Sequence, residues 1–451
     1  MKRSVPALTI LSAALVQFIV CLDTFIINVA LPTLTTQLNG NAFTAQWTVD
    51  AYTLAFASPL LLMGSLTDKF GGKRLFTIGI VGFGISSLIC ALSTTMEALI
   101  VGRALLGLCA ASTVPASMAL IKEAYPNEKK QAVALGFWMS AGSVAGGVGP
   151  LVGGLLTPID WRLIFTINIP VCIAALCLIP FLKASNKKVA SFDPLGQILS
   201  TMGIVLFVGG IIEGGEWGYA DPKTIVLLLL GLAGIALFLL WQTEAKTPMM
   251  PLKLFRTRAM RIADFAGFGF IFSWFGAIFI CSSYVQTSLG MSALAAGVLF
   301  IPASIGAFPC NLLAGVMTAK FGEKVPMVLG FAGAGIACFV LAFFAFSFST
   351  LPYLLLVCML PFVVFGGSIT MPPASALVLE NTSQELAGIA SGAFNTFRQI
   401  GASIAIAVYG SIMTATVLQP AVGMGLCFAL GALLNGAVFL SCLGLNKKAA
   451  S

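Results

Sequence analysis

Apolar residues run along this chain in long, nearly unbroken stretches divided by short polar segments, without the strict alternation of a half-buried strand. Fourteen stretches can be drawn, near residues 8–31, 47–67, 75–94, 98–121, 131–156, 163–183, 195–214, 224–242, 261–287, 295–319, 325–347, 351–377, 387–413 and 421–445. Their lengths cluster around the ~20 residues that a helix needs to cross a hydrocarbon core, well above the ~10 of a tilted barrel strand. Hydrocarbon offers backbone groups no partners, so stretches of this length read as helices. The pattern predicts an all-α polytopic membrane protein of fourteen transmembrane helices, and an even number places both termini on one side.

The polar segments say which side. Of the 24 Lys and Arg residues, twenty fall on segments that share a side with the termini, and only Arg162 and Lys223 fall on the other. Basic residues collect in cytoplasmic segments, so both termini are expected in the cytoplasm. The remaining two, Arg103 and Arg398, lie inside spans. Met1-Lys2-Arg3 leads into a full-length span with no small-residue cleavage site, which reads as a first helix rather than a removed signal peptide.

Composition mainly excludes. The chain is 59% hydrophobic and 9% charged, against about 25% charged residues in soluble domains. Its net charge of +8 therefore reads as a topology signal rather than a nucleic-acid footprint, and no nucleic-acid partner is expected. There is no histidine, so proton chemistry falls to Asp and Glu. The eleven cysteines lie mostly in apolar stretches with no Cys-x-x-Cys pair, which points to small core residues, not disulfides or a metal site. With no Ser/His/Asp set and no Gly-x-x-x-x-Gly-Lys-[Ser/Thr] loop, neither an enzyme nor an ATP-driven pump is expected, and no cofactor is.

Against that background Asp23 stands out. It lies in the otherwise uncharged run Thr9–Pro32, where a carboxylate costs roughly 3 kcal/mol to insert. It sits about nine residues before the outer end of the first span, roughly 13 Å deep, and Arg103, early in the fourth span, is about 9 Å deep from the same side. A pair would lower the insertion cost of both. Arg398, eleven residues into the thirteenth span, needs a counter-ion or a wet cavity. Glu213 ends the seventh span on the outer side, where it is either a second proton site or a solvated residue. Asp264, just after Arg261, reads as an interfacial acid at a helix start.

Two segments echo each other. Gly64–Lys73 follows the second span and Gly315–Lys324 the tenth, with Gly, Lys-Phe-Gly and Lys in common; Ala319 stands where the first copy has Asp68. Two related halves follow: a six-helix bundle over 1–190, two inserted helices over 191–245, and a second six-helix bundle over 246–451. A duplicated helical bundle places its site near the midplane.

Several motifs in order carry a resemblance. They are Leu22-Asp23-Thr24 through Asn28-Val29-Ala30-Leu31-Pro32; the loop Gly64-x-Leu66-x-Asp68-x-x-Gly71-x-Lys73-Arg74; Arg103-x-x-x-Gly107; the run Gly142, Gly146, Gly149-Pro150-Leu151-x-Gly153-Gly154; Asp160-Trp161-Arg162 through Asn168-Ile169-Pro170; and Asn395-x-x-Arg398-Gln399-x-Gly401. Over nearly its whole length the chain resembles the major facilitator superfamily, in particular its fourteen-helix drug:proton antiporters. The resemblance implies the major facilitator fold, a bacterial cytoplasmic membrane, and a monomer that exports amphiphilic, cationic or zwitterionic drugs in exchange for protons.

It also implies roles. Asp23, Arg103 and Glu213 would serve proton coupling. The Gly64–Arg74 loop, with Asp68, would latch the halves. The glycines of the fifth span, three or four apart, make a smooth face for close helix contact, kinked at Pro150. Trp161 would anchor at the interface. Cavity candidates are Asn28, Trp47, Tyr52, Trp138, Phe270, Trp274, Tyr284, Asn395 and Arg398, since aromatic cavities suit hydrophobic cations. Export of a single metabolite, or a transport-dead membrane sensor, are the alternatives.

Overall fold

The apolar stretches are helical throughout a computed structural model that describes residues 5–125, 128–183, 193–382, 387–416 and 419–445. Among these residues there are seventeen α-helices and no strand. They are α1 (Val5–Gln37), α2 (Ala42–Ala57), α3 (Leu60–Phe70), α4 (Gly72–Leu92), α5 (Met96–Ala124), α6 (Glu128–Leu156), α7 (Leu163–Thr166), α8 (Asn168–Leu178) and α9 (Pro194–Trp217). There follow α10 (Pro222–Glu244), α11 (Arg258–Thr287), α12 (Ala293–Val298), α13 (Ile301–Phe321), α14 (Lys324–Ser347), α15 (Tyr353–Glu380), α16 (Ala387–Ala415) and α17 (Pro420–Leu443). Eleven helical segments of the described residues are long and apolar enough to cross a membrane.

Three of the expected spans are broken in two, and proline explains each break. Pro59 separates α2 from α3, Pro170 lies two residues into α8, and Pro302 opens α13. A proline ring removes one N–H and crowds the carbonyl four residues earlier. Gln197 Nε2 donates to the Ser58 carbonyl at 2.7 Å, so a backbone group at the α2–α3 break keeps a partner. Conversely, α1 continues past Pro32 to Gln37, beyond the expected end near residue 31. There Thr35 and Thr36 donate their hydroxyls to the carbonyls of Leu31 and Pro32, at 2.8 and 2.9 Å.

The chain divides into two compact units, residues 1–198 and 199–451, with the division inside α9. In the first, α1 lies against α6, and α5 lies between α4 and α2. In the second, α11 lies against α16, and α14 against α15 and α17; Met260, Phe331, Leu377, Phe394 and Val438 belong to its core.

The two echo segments fold alike within their own units. Gly71 (φ 90°) separates α3 from α4, and Gly322 (φ 75°) separates α13 from α14. Both φ values lie where a Cβ is strained, which explains glycine at each. The lysine two residues on then caps another helix. Lys73 Nζ donates to the Leu182 carbonyl at 2.7 Å, and Lys324 Nζ donates to the carbonyls of Leu443 and Leu445 at 2.5 and 2.9 Å.

Candidate functional site

Asp23 is fully buried in α1, and five helices of the first unit converge on it. Arg103, also fully buried on α5, donates from Nη1 to Asp23 Oδ2. Its Nε donates to the Thr48 carbonyl of α2 at 3.1 Å, and its guanidinium lies 4.3 Å from the centre of the Tyr52 ring. Arg103 Nη2 has no hydrogen-bond partner among the described residues. On the other side, Asn168 of α8 donates from Nδ2 to Asp23 Oδ1 at 3.0 Å and to Ser87 Oγ of α4 at 2.8 Å. Ser87 in turn donates to the Phe165 carbonyl of α7 at 2.8 Å. The carboxylate thus accepts one charge-assisted bond and one neutral bond, on separate oxygens.

The glycines explain how the helices come close enough. A Cβ at Gly107, one turn beyond Arg103, would collide with the Tyr52 carbonyl. Without that Cβ, α5 closes on α2 and sets Arg103 against Thr48 and Tyr52. The glycine face of α6 lies on α1 around Asp23. A Cβ at Gly149 would fall 2.9 Å from Phe25 Cβ, and one at Gly153 2.8 Å from the Ile26 carbonyl. Gly142 and Gly146 face Gln17 and Phe25 in the same row, and Pro150 and Gly154 are buried.

The remaining candidates are dispersed. Tyr52 is fully buried beneath Arg103, with its hydroxyl donating to the Val20 carbonyl at 3.2 Å. Asn28 is buried, its Nδ2 donating to the Thr24 carbonyl at 3.2 Å. Trp47 is half-buried, and Trp138 packs with Ala13, Ile121 and Ala134. In the second unit, Trp274 meets Phe300 edge-on at 5.9 Å, Phe270 packs against the core, and Tyr284 accepts from the Leu351 amide at 2.7 Å. Arg398 donates to Asn395 Oδ1 at 3.1 Å and lies 5.9 Å from the Phe394 ring. Glu213 is half-buried, one turn from the end of α9. Of the loop motif, Gly64 has open space around it and Arg74 lies 6.0 Å from the Phe70 ring; the side chain of Asp68 lies outside the described residues.

Two readings need correction. Trp161 is 1% exposed, not an interfacial anchor, because the turn into α7 folds it inward against Phe165, with Arg162 4.4 Å from its ring. Asp264 is 3% exposed rather than interfacial: it lies seven residues into α11 among buried Ile262, Ala263 and Ala266, and neither oxygen has a hydrogen-bond partner among the described residues.

Asn168 and Ser87 were not foreseen as neighbours of Asp23. A further buried acid is Asp50 on α2, whose Oδ1 accepts from Thr53 Oγ1 at 3.2 Å while Oδ2 has no partner among the described residues. Gln46 Oε1, one turn earlier, is equally without one. The available signal was a carboxylate inside the second predicted span.

The second unit repeats the asparagine bridge with a hydroxyl in place of the acid. Asn435 of α17 donates to Ser273 Oγ of α11 at 2.9 Å and lies 3.9 Å from Cys338 Sγ of α14. Ser87 is fourteen residues after Lys73, and Cys338 is fourteen after Lys324. Ser273 therefore occupies the place of Asp23.

Comparisons with known proteins bear on the family and on the fold. The Major Facilitator Superfamily matches residues 13–406. A methylenomycin A resistance protein of Bacillus subtilis is 31% identical over 439 residues, covering 95% of this chain and 93% of the relative. The tetracenomycin C resistance and export protein of Streptomyces glaucescens is 30% identical, covering 92% and 77%. The multidrug resistance protein Stp of Mycobacterium tuberculosis is 30% identical, covering 90% and 76%. A D-xylose–proton symporter structure matches with a TM-score of 0.68 at 17% identity, covering 96% of this chain and 97% of the other, a likeness of fold alone.

Proposed function

Because the chain belongs to the Major Facilitator Superfamily and is a multi-pass membrane transporter rather than an enzyme, we propose that it is a proton-coupled exporter of amphiphilic, cationic or zwitterionic compounds working by alternating access. The observation that carries the coupling is a fully buried carboxylate held by one arginine and one amide. Asp23 carries the proton. When it is charged, Arg103 pairs with it. When it is protonated, the Coulomb attraction is lost, and Arg103 remains held by the Thr48 carbonyl and the Tyr52 ring, a desolvated cation–π contact of about 2 kcal/mol. The neutral state is thereby reachable without leaving a bare cation in the bundle. The glycine face of α6 lets α1 shift beside it. Both termini face the cytoplasm of a bacterial cell, and the protein works as a monomer.

Asp23→Asn is expected to abolish ethidium-driven proton flux in proteoliposomes while the protein still inserts. Undiminished flux from that variant would sink the coupling role.

A second reading, export of one dedicated metabolite, is favoured by relatives named for resistance to methylenomycin A and tetracenomycin C. A susceptibility panel and metabolite profiling of a deletion strain separate the two. Broad sensitisation supports multidrug export, and retention of one compound supports the dedicated exporter.

A further inference from the structure

The hydrogen bonds around Asp23 run in one direction. Arg103 Nη1 donates to Oδ2, Asn168 Nδ2 donates to Oδ1 and to Ser87 Oγ, and Ser87 donates onward to the Phe165 carbonyl. The two side-chain donors that reach the carboxylate, from Arg103 and Asn168, are thus arranged for its charged form. A proton arriving on Oδ1 would face the amide N–H groups of Asn168, two donors aimed at each other with no acceptor between them. The acceptor exists one bond away: Asn168 Oδ1 is buried and has no partner among the described residues.

Turning the amide over brings that oxygen to where Nδ2 now stands. It then accepts from the protonated Asp23 and from the Ser87 hydroxyl, which must leave the Phe165 carbonyl to reach it. That carbonyl lies at the junction of α7 and α8, where Pro170 already removes one backbone donor.

We propose that Asn168 is a positioning residue that reports the proton on Asp23: its amide donates to the charged carboxylate, turns over to accept from the protonated one, and passes the change through Ser87 to the α7–α8 break. The proposal rests on Asp23 being the proton carrier. Among the described residues, the other titratable or charged groups facing the carboxylate are Arg103 on α5, Tyr52 on α2, Cys90 on α4 and Cys172 on α8; Gly146 and Gly149 of α6 lie against Phe25 beside it. At ordinary values the phenol and thiols carry no charge below about pH 7.5, so Asp23 is the group whose charge changes.

The second unit supplies an internal control. Asn435 makes a similar bridge, to Ser273 and toward Cys338, while also donating to the Gly431 carbonyl of its own helix at 2.7 Å, and its amide bonds to no acid among the described residues. An asparagine acting only as scaffold would behave alike in both places.

The test measures ethidium-driven proton flux against pH in proteoliposomes made from the full chain. Asn168→Leu keeps the branched shape and removes the amide. Losing the bond to the charged carboxylate outweighs losing the weaker neutral bond from its protonated form, so the midpoint of the flux profile moves toward higher pH by about half a unit or more, and Asn435→Leu leaves the midpoint in place even if it lowers yield. Asn168→Leu with flux at the wild-type midpoint overturns the proposal, as does an equal shift in both variants. Should Asn168→Leu fail to fold, Ser87→Ala carries the same decision: a smaller shift in the same direction supports it, and an unchanged profile overturns it. Undiminished proton flux in Asp23→Asn would instead remove the reading on which this rests, a separate result from an unmoved Asn168→Leu profile.

Discussion

Removing Arg103 isolates the energetics of the Asp23 pair. In Arg103→Met the carboxylate keeps the Asn168 bond but loses its cation, in a site where both side chains have no exposure to solvent. Orphaning one partner of a buried pair costs about 3–5 kcal/mol. Protonation caps that penalty. Taking up a proton becomes easier by about 1.36 kcal/mol for each unit the pH falls. Arg103→Met is therefore expected to lose about 3–5 kcal/mol at pH 7 and less at pH 5. The double variant Asp23→Asn/Arg103→Met, with no charge left, regains most of the loss at both pH values. The assay is thermal or denaturant unfolding of the purified protein in one detergent, across pH, for wild type, both single variants and the double. A pH-independent loss in Arg103→Met, or a double variant no more stable than the worse single, would refute the account of the pair as an isolated buried charge couple.

Two further outcomes follow from packing and burial. Gly153→Ala places a methyl group 2.8 Å from the Ile26 backbone carbonyl and is expected to lower unfolding stability by about 1–3 kcal/mol. Gly64→Ala, with nothing within 4 Å, is expected to be neutral or to stabilise by up to about 1 kcal/mol through lower chain entropy; paired melting curves check both. Asp50→Asn removes a buried charge with one unpartnered oxygen while keeping an acceptor for Thr53, so its melting temperature is expected to exceed the wild type at pH 8, with a gap that narrows by pH 5. A gap independent of pH would show that Asp50 holds the same charge in the folded and unfolded protein across this range.

What the sequence revealed followed cost. Asp23 and Arg103 were legible because a charge in an apolar run is expensive wherever the chain goes, and the glycine spacing of α6 was legible because it is local. Asn168 was visible inside a recognisable motif, yet a neutral amide in a span raises no alarm, and its contacts with Asp23 and Ser87 lie 145 and 81 residues away in the chain. Asp50 escaped because the second span was drawn from Trp47, placing the acid at a membrane edge where charge is cheap. The helix begins five residues earlier, at Ala42, capped by Asn41 and Thr44 in a reciprocal box. Trp161 and Asp264 failed for the same reason in reverse: position in a segment says how near the interface a residue starts, not what folds over it.

The internal repeat sharpens what the charged site adds. Lys73 and Lys324 cap corresponding helices, and Asn168 and Asn435 bridge corresponding positions. The shared frame of glycine turn, lysine cap and asparagine bridge therefore recurs in the second unit with Ser273 in the central place, where the asparagine bridges to a hydroxyl rather than to an acid. Stability then gives no reason for the first unit to carry Asp23 and Arg103 there: a buried ion pair is often no more stabilising than neutral groups of similar volume. One unit performs the scaffold role with a hydroxyl, while the other carries an acid, a guanidinium and the Tyr52 ring beneath it. A structural pair leaves the asymmetry unexplained, and the proposed titrating pair accounts for it. For that reason Asp23→Ser is the most direct separation of the two: it writes the second unit's chemistry into the first. Folding should survive if Arg103 is also made Met, and coupling should not. Proton flux persisting in Asp23→Ser/Arg103→Met would return the pair to the status of scaffold.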